Sequence, residues 1–252
     1  CIRDSFDTTK PEKLGLPAAF EPLKKDFDGK ITCKKDLIEK LTRQRTTGVK
    51  RSGSLAYHPE QPLFTMIGRL MGQKGVDILI TALEKLLAAD KKFQVLILGS
   101  GARELELALI RLARKKDNAG RICVLSGYDP ALANRIYAGG DFFLVPSRYE
   151  PCGLTDYIAQ LAGSLPIVHH VGGLVKVEDG VTGFAFTDYS TDALAGAMLR
   201  AMRVFRETPG KIQEMQVTAV KRIHQKHTWD KVVHRYLELY VKAMDMSQEH
   251  YK

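Results

Sequence analysis

The stretch DFFLVPSRYEPCGLT, residues 141–155, joins a strand pattern to a helix start. Its lead-in, residues 141–145, is mostly apolar and is typical of a buried parallel strand. A polar turn with two prolines follows, and a helical pattern begins near Gly153. In an open α/β sheet, ligands bind at the carboxyl ends of strands, and a helix start favours a phosphate. Glu150 is therefore a candidate ligand-binding residue, although an ordinary turn with a solvated Glu gives the same pattern.

Strands and helices alternate from residue 63 onwards. Apolar runs typical of strands occupy residues 63–67, 93–98, 121–125, 141–145, 165–169 and 183–186. Helical spacing of apolar residues predicts helices near 75–90, 103–116, 130–138, 153–163, 190–206, 209–226 and 229–246. This order predicts an α/β fold, a doubly wound parallel sheet of the Rossmann-like kind, with a helical C-terminal tail.

The first 60 residues are irregular. A short helical pattern covers residues 33–45, and the turn-rich segment 46–62 is typical of a linker. We therefore expect a lead-in over residues 1–60 that docks on one domain over residues 61–252. The chain begins with Cys1 rather than Met, so we expect that further sequence precedes it.

Composition restricts the class of protein. The 252 residues carry a net charge of +9, with 44% hydrophobic and 27% charged residues, which is ordinary for a globular protein. The positive charge favours an anionic ligand or is simply a solvated basic surface. No nucleic-acid module is recognisable, and no apolar run is long enough to cross a bilayer. The four cysteines form no C-x-x-C pair, which favours reduced thiols and a cytosol-like compartment.

Two cations lie five residues apart in the glycine-rich segment GRLMGQKG, residues 68–75. The spacing differs from that of a P-loop. Arg69 can grip a phosphate with two hydrogen bonds and Lys74 can act as a point charge, so together they could stabilise a leaving diphosphate. Two solvated surface cations are the alternative.

Other strand ends carry weaker signals. Tyr128 could stack on a nucleobase, although a partly buried packing role is the simpler interpretation. Gly172 and Gly173 permit close backbone approach, as an ordinary turn also would. His224 and His227 have a spacing that suits a metal, but no carboxylate or Cys partner has matching spacing, so no metal site is predicted.

The segments GRLMGQKG (68–75), GY (127–128), PSRYEPCGLT (146–155) and VGGL (171–174) together resemble the bacterial glycogen synthase and plant starch synthase family. The resemblance runs from about residue 60 to the end. It implies the C-terminal, donor-binding half of a retaining enzyme of the GT-B architecture. Such enzymes use ADP-glucose and no metal cofactor to extend the non-reducing end of an α-1,4-glucan.

The resemblance also implies roles for individual residues. Arg69 and Lys74 would bind the donor diphosphate, Glu150 would hold the glucose hydroxyls, and Tyr128 would stack on adenine. The backbone N–H groups of Leu154 and Thr155 would contact the distal phosphate. The other implied nucleotide-sugar contacts are Ser147, Cys152, Gly153, Gly172 and Gly173.

Several positions depart from the family pattern. Asp156 stands where Gln is common, Val171 where Thr is common, and Lys176 where Asp is common. Many related transferases have a second Glu where this chain has Ile158, which with Cys152 favours ADP-glucose over UDP-glucose.

The expected partners are ADP-glucose or ADP and, through an N-terminal domain outside this chain, an α-1,4-glucan; nucleic acid and membrane are not expected. The expected compartment is the cytoplasm, or the plastid for a plant protein. Another nucleotide-sugar transferase or epimerase, or a non-catalytic binding module, is the alternative.

Overall fold

The computed structural model describes residues 6–43 and 48–250. Its strands are β1 Val49–Leu55, β2 Leu63–Ile67, β3 Gln94–Gly99, β4 Arg121–Gly127, β5 Phe142–Val145, β6 Leu165–His169 and β7 Phe184–Phe186. Its helices are α1 Pro11–Leu14, α2 Asp28–Arg43, α3 Val76–Ala89, α4 Arg103–Arg114, α5 Pro130–Gly139, α6 Thr155–Leu161, α7 Thr191–Glu207, α8 Pro209–Lys226 and α9 Trp229–His250. The alternation predicted from the periodicity is confirmed from β2 to α9.

The strands form one mixed sheet in the order β1-β4-β3-β2-β5-β6-β7. From β4 to β7 all neighbours are parallel, whereas β1 runs antiparallel to β4. The chain builds one side of the sheet from β2 through β3 to β4, then returns to place β5 on the other side of β2. This reversal is a topological switch point, which leaves a crevice at the carboxyl ends of β2 and β5. The doubly wound α/β fold is thereby confirmed.

Both faces of the sheet are covered, which explains the continuous apolar runs of the strands. In β3, Val95 and Ile97 belong to a core shared with α3, α4 and α7, while Leu96 and Leu98 belong to a core shared with α2, α5 and α6. The alternation follows the two-residue period of a strand.

The linker predicted over residues 46–62 is wrong for residues 49–55, because these form β1 at the edge of the sheet. Its sequence VKRSGSL is mostly polar, since one side of an edge strand meets solvent. Gly53 interrupts the alternation with a φ of +78°, and an added Cβ would lie 2.3 Å from the carbonyl oxygen of Ile122. Polarity and a glycine therefore hid this strand from the hydrophobic pattern.

The lead-in packs on the sheet through α2, which begins at Asp28, before the predicted helical pattern at residue 33. Lys30 lies on its buried face, and its Nζ donates to the carbonyl oxygens of Ala138, Gly140 and Ala162 at 3.0, 2.7 and 3.0 Å. A buried lysine that satisfies three carbonyl groups looks polar in sequence, so the first turns of the helix escaped prediction. The division at residue 60 remains a prediction.

The C-terminal helix α9 extends from α8, and most of its side chains are exposed. Its exposed large apolar side chains are Trp229, Tyr236, Leu237, Leu239, Tyr240, Val241, Met244 and Met246. Charged residues are interspersed among them. Within residues 6–43 and 48–250, no helix has the length and apolar character that crossing a membrane requires.

Candidate active site

The predicted site residues gather at the carboxyl edge of the sheet. The loop of residues 68–75 follows β2, Tyr128 follows β4, the turn of residues 146–154 follows β5, and the segment 170–174 follows β6. We call residues 68–75 the cation loop and residues 146–154 the donor turn. They flank the switch point, since β2 and β5 are neighbours.

Lys74 and Glu150 form the central contact between the two segments. Lys74 Nζ lies 2.5 Å from Glu150 Oε2. The same carboxylate oxygen accepts a hydrogen bond from the Ser147 hydroxyl at 3.1 Å. The Glu150 side chain is only 13% exposed and that of Lys74 25%. An ion pair at this depth is screened less by water than a surface pair, so it fixes both charged groups in the crevice.

Gly75 allows the cation loop to approach the donor turn this closely. Its φ is +73°, and an added Cβ would lie 1.9 Å from the carbonyl oxygen of Pro146. Directly beside it, the Arg148 N–H donates to the Gln73 carbonyl oxygen at 2.9 Å. The absence of a side chain at Gly75 therefore permits the close approach of the loop backbone to the turn backbone.

His169, at the end of β6, supports the donor turn from below. Its Nδ1 lies 2.8 Å from the carbonyl oxygen of Ser147, and its Nε2 lies 3.0 Å from that of Thr187. Ser147 is 1% exposed. Its buried hydroxyl is turned to Glu150 and supports that carboxylate, while a contact of Ser147 with the nucleotide sugar stays a prediction.

Tyr189 supports the cation loop, as His169 supports the donor turn. Its hydroxyl lies 3.1 Å from the Gly72 carbonyl oxygen, which accepts a hydrogen bond from it, and 2.8 Å from Asp77 Oδ1. The Arg148 guanidinium lies 4.7 Å from the centre of its ring. Burial, and then the hydrogen bond to Asp77, raise the pKa of Tyr189, so the hydroxyl remains a donor at neutral pH.

Two predicted ligand contacts are exposed to solvent at the mouth of the crevice. Arg69 is exposed and has no ion pair or hydrogen bond from its side chain to any described residue. Tyr128 is 75% exposed. The simpler interpretation of Tyr128 as a partly buried packing residue is therefore wrong, and its ring is available for stacking.

The glycine pair of the 170–174 segment lies against the donor turn. An added Cβ would lie 2.3 Å from the Glu150 carbonyl oxygen at Gly172 and 2.2 Å from the Cys152 carbonyl oxygen at Gly173. The Gly173 N–H donates to the Glu150 carbonyl oxygen at 2.7 Å. These two glycines allow the backbone of the 170–174 segment to pack directly against the backbone of the donor turn. They therefore help to hold the turn in place.

The end of the donor turn is more open. Cys152 and Leu154 are exposed, and Gly153 has a φ of +62°. Thr155 is the first residue of α6, so its N–H and that of Leu154 have no partner within the helix. These two amides are therefore able to donate to an anion, and their contact with the distal phosphate stays a prediction.

A second ion pair lies behind the turn. Asp156, fully buried in α6, has its Oδ1 3.2 Å from Lys176 Nζ. Burial raises the pKa of Asp156 to about 7, although Lys176 lowers it. The sequence marked both residues as departures from a pattern but gave no sign that they meet.

The arrangement places an exposed cation, a paired cation and one carboxylate around a crevice at a switch point. Cations stabilise negative charge that develops on a leaving group, and a carboxylate can bind sugar hydroxyls. Residues 52–214 match the family model of the glycosyl transferases group 1. The chain belongs to this family.

The glycosyl transferase chain is similar to curated glycogen synthases. It is 36% identical over 234 residues to that of Leptothrix cholodnii and 38% identical over 231 residues to that of an Anaeromyxobacter species. Each match covers 89% of this chain and 44% of the relative. The chain therefore spans less than half the length of the relatives it matches.

A solved structure resembles nearly the whole chain. The catalytic domain of starch synthase IV from Arabidopsis thaliana, bound to ADP and acarbose, superimposes with a TM-score of 0.79 at 27% identity. That match covers 96% of this chain and 47% of the other. A glycosyltransferase from Rickettsia africae matches with a TM-score of 0.66 at 20% identity over 96% of this chain and 55% of the other, which shows the shared fold.

The histidines of the tail do not assemble a metal site. In the described part of this chain, no three His, Cys, Asp or Glu side chains are placed to share a metal ion. His227 packs its ring 5.1 Å from that of Tyr157. Cys33, Cys123 and Cys152 are free thiols, and Cys1 lies outside the described residues.

Sequence reasoning missed His169, Tyr189 and the contact between Asp156 and Lys176. His169 carried a usable signal, because it is a polar residue at the carboxyl end of an apolar run. Tyr189 carried none, since it follows a short strand in a polar stretch and reaches the cation loop only through the fold.

Proposed function

We propose that this chain is the donor-binding half of a glucan synthase that transfers glucose from ADP-glucose to the non-reducing end of an α-1,4-glucan. The observation that carries the proposal is the pairing of Lys74 with Glu150 at 2.5 Å across the switch-point crevice, with Arg69 exposed beside it. The similarity to the starch synthase catalytic domain bound to ADP and acarbose supports the same assignment.

The cations would assist departure of the diphosphate. When the bond between the anomeric carbon and the diphosphate breaks, negative charge grows on the leaving oxygen. Arg69 offers two parallel N–H donors, and Lys74 offers a point charge that Glu150 already holds in the crevice. Each charge-assisted hydrogen bond that strengthens as the bond breaks lowers the barrier by about 1.5–3 kcal/mol.

Glu150 would act at the sugar rather than as a proton carrier. Its carboxylate is fixed by Lys74 and Ser147, so it presents its other oxygen, Oε1, in a constant position. A carboxylate held there can accept hydrogen bonds from glucose hydroxyls and stabilise positive charge at the anomeric carbon. Because the carboxylate is already oriented, little energy is needed to reorganise it as the positive charge develops.

The remaining contacts would select the nucleotide. Tyr128 would stack on adenine, since its ring is 75% exposed. The amides of Leu154 and Thr155 would bind the distal phosphate. Cys152, Gly153, Gly172 and Gly173 would line the same pocket through their backbone.

The site would need no metal cofactor, because two cations from the chain supply the charge. The glucan acceptor would bind mainly to a domain outside this chain. The free thiols favour the cytoplasm, or the plastid in a plant.

Calorimetric titration of the chain with ADP, UDP and GDP, each with and without EDTA, tests the assignment. We expect ADP to bind most tightly, with the same affinity in EDTA. A preference for UDP would assign another nucleotide-sugar enzyme of this fold, and a measurable glucan affinity without nucleotide affinity would make the chain a non-catalytic module. Either result would overturn the proposal.

A further inference from the structure

We infer that Lys176 and Asp156 form a positioning pair that fixes the donor turn for the nucleotide sugar, an inference that rests on the proposed function. Neither residue is among the predicted ligand contacts. Both act on the backbone that carries Glu150 and leads to the amides of Leu154 and Thr155.

Lys176 tethers the turn directly. Its Nζ donates to the carbonyl oxygen of Cys152 at 2.8 Å and also to that of Gly153. These carbonyl groups lie between Pro151, which follows Glu150, and Leu154, which precedes the first residue of α6. The Gly173 N–H also donates to the Glu150 carbonyl oxygen at 2.7 Å, so residues that follow β6 hold three carbonyl groups of the turn.

Asp156 keeps the lysine in place. The Asp156 carboxylate is fully buried, and its Oδ1 lies 3.2 Å from Lys176 Nζ. A buried carboxylate without a partner is costly, so the fold keeps the ammonium group next to it. The Tyr157 ring, 3.9 Å from the same Nζ, adds a cation–π contact on another side.

Gly153 shows how tightly the pair is enclosed by the turn. An added Cβ at this residue would lie 2.9 Å from Asp156 Oδ1 and 3.0 Å from Lys176 Nζ. Its φ of +62° turns the backbone so that its carbonyl group reaches the lysine. The pair and the turn therefore fit together as one unit, and a displacement of Lys176 moves the peptide groups that lie between Glu150 and Thr155.

The consequence concerns the distal phosphate. A donor turn without its tether should sample several orientations, so its amides would no longer be preorganised for that group. The loss of affinity should therefore affect ligands that carry a distal phosphate, such as ADP. AMP lacks this phosphate, so its affinity should be unchanged.

The test uses calorimetry with ADP and with AMP, and urea unfolding, on three variants of the chain. Lys176→Met leaves the buried carboxylate unpaired and should both weaken ADP binding about tenfold and destabilise the fold. Asp156→Asn/Lys176→Met removes both charges and should regain most of the stability. We expect this double variant still to bind ADP about tenfold more weakly than wild type, with AMP affinity unchanged.

Lys85→Met is the matched control. Lys85 also forms an ion pair with an Asp far away in sequence, at 2.6 Å to Asp192, but both side chains are mostly exposed, and among the described residues neither forms a hydrogen bond or ion pair with the donor turn. It should leave both affinities unchanged. If wild type binds ADP and the double variant binds it equally well, or if AMP and ADP weaken alike, the positioning role is refuted. If wild type binds no ADP, the proposed function fails and this inference with it.

Discussion

Replacing Gly75 with alanine should separate the cation loop from the donor turn in the candidate active site. An added Cβ would lie 1.9 Å from the Pro146 carbonyl oxygen, and the φ of +73° is unfavourable for alanine. The left-handed conformation costs about 1–2 kcal/mol. Relieving an overlap of this size costs about 1–3 kcal/mol more, because the surrounding backbone must shift. The variant should therefore lose about 2–5 kcal/mol of unfolding free energy.

Gly72→Ala is the matched control within the same loop. An added Cβ at Gly72 meets no heavy atom within 4 Å. Its unfolding free energy should stay close to that of wild type or rise by about 0.4–1 kcal/mol, because alanine restricts the unfolded chain. Urea denaturation of the three proteins measures the difference.

The same variants should differ in ligand binding. A displaced cation loop moves Lys74 away from Glu150, so Gly75→Ala should also weaken ADP binding, whereas Gly72→Ala should not. Equal unfolding free energies for Gly75→Ala and Gly72→Ala would refute the reasoning, because a side chain at residue 75 would then not destabilise the contact between loop and turn.

Three further predictions concern single side chains. Tyr128→Ala should weaken ADP binding about tenfold and leave the urea midpoint unchanged, because the ring is 75% exposed; calorimetry and denaturation measure both. Lys30→Met should lower the unfolding free energy by about 2–4 kcal/mol in urea denaturation, because three carbonyl groups lose their donor. Burial raises the pKa of Asp156 to about 7, so the folded state retains this proton at a higher pH than the unfolded state does. The contribution of protonated Asp156 to the free energy of unfolding is therefore complete below about pH 4 and is lost as the pH rises to about 7. Urea denaturation across this pH range measures it, and Asp156→Asn should flatten this part of the stability–pH curve.

Buried parallel strands could be predicted from sequence because both faces of the sheet are covered. The runs at residues 63–67 and 165–169 agree with β2 and β6 to the residue. The edge strand β1 could not, because solvent on one side removes the need for apolar residues. The first turns of α2 were missed for another reason: Lys30 is buried, and sequence periodicity counts a lysine as exposed.

The candidate site likewise has features that the sequence predicts and features that it does not. That Arg69, Lys74 and Glu150 would share one edge could be predicted, since carboxyl ends of parallel strands meet there. The 2.5 Å contact of Lys74 with Glu150 could not, because it depends on the backbone approach at Gly75. Likewise no local pattern encodes the burial of Ser147, whose carbonyl oxygen contacts His169 at the end of β6.

Calorimetric titration of ADP into wild type and into Arg69→Ala/Lys74→Ala tests the central claim most directly. Lys85→Met serves as the control for loss of positive charge outside the crevice. Two charge-assisted phosphate contacts should be lost, so we predict that the double variant binds ADP about a hundredfold more weakly than wild type, while Lys85→Met binds it equally well. Equal ADP affinity for wild type and the double variant would contradict the assignment of the two cations to the donor diphosphate.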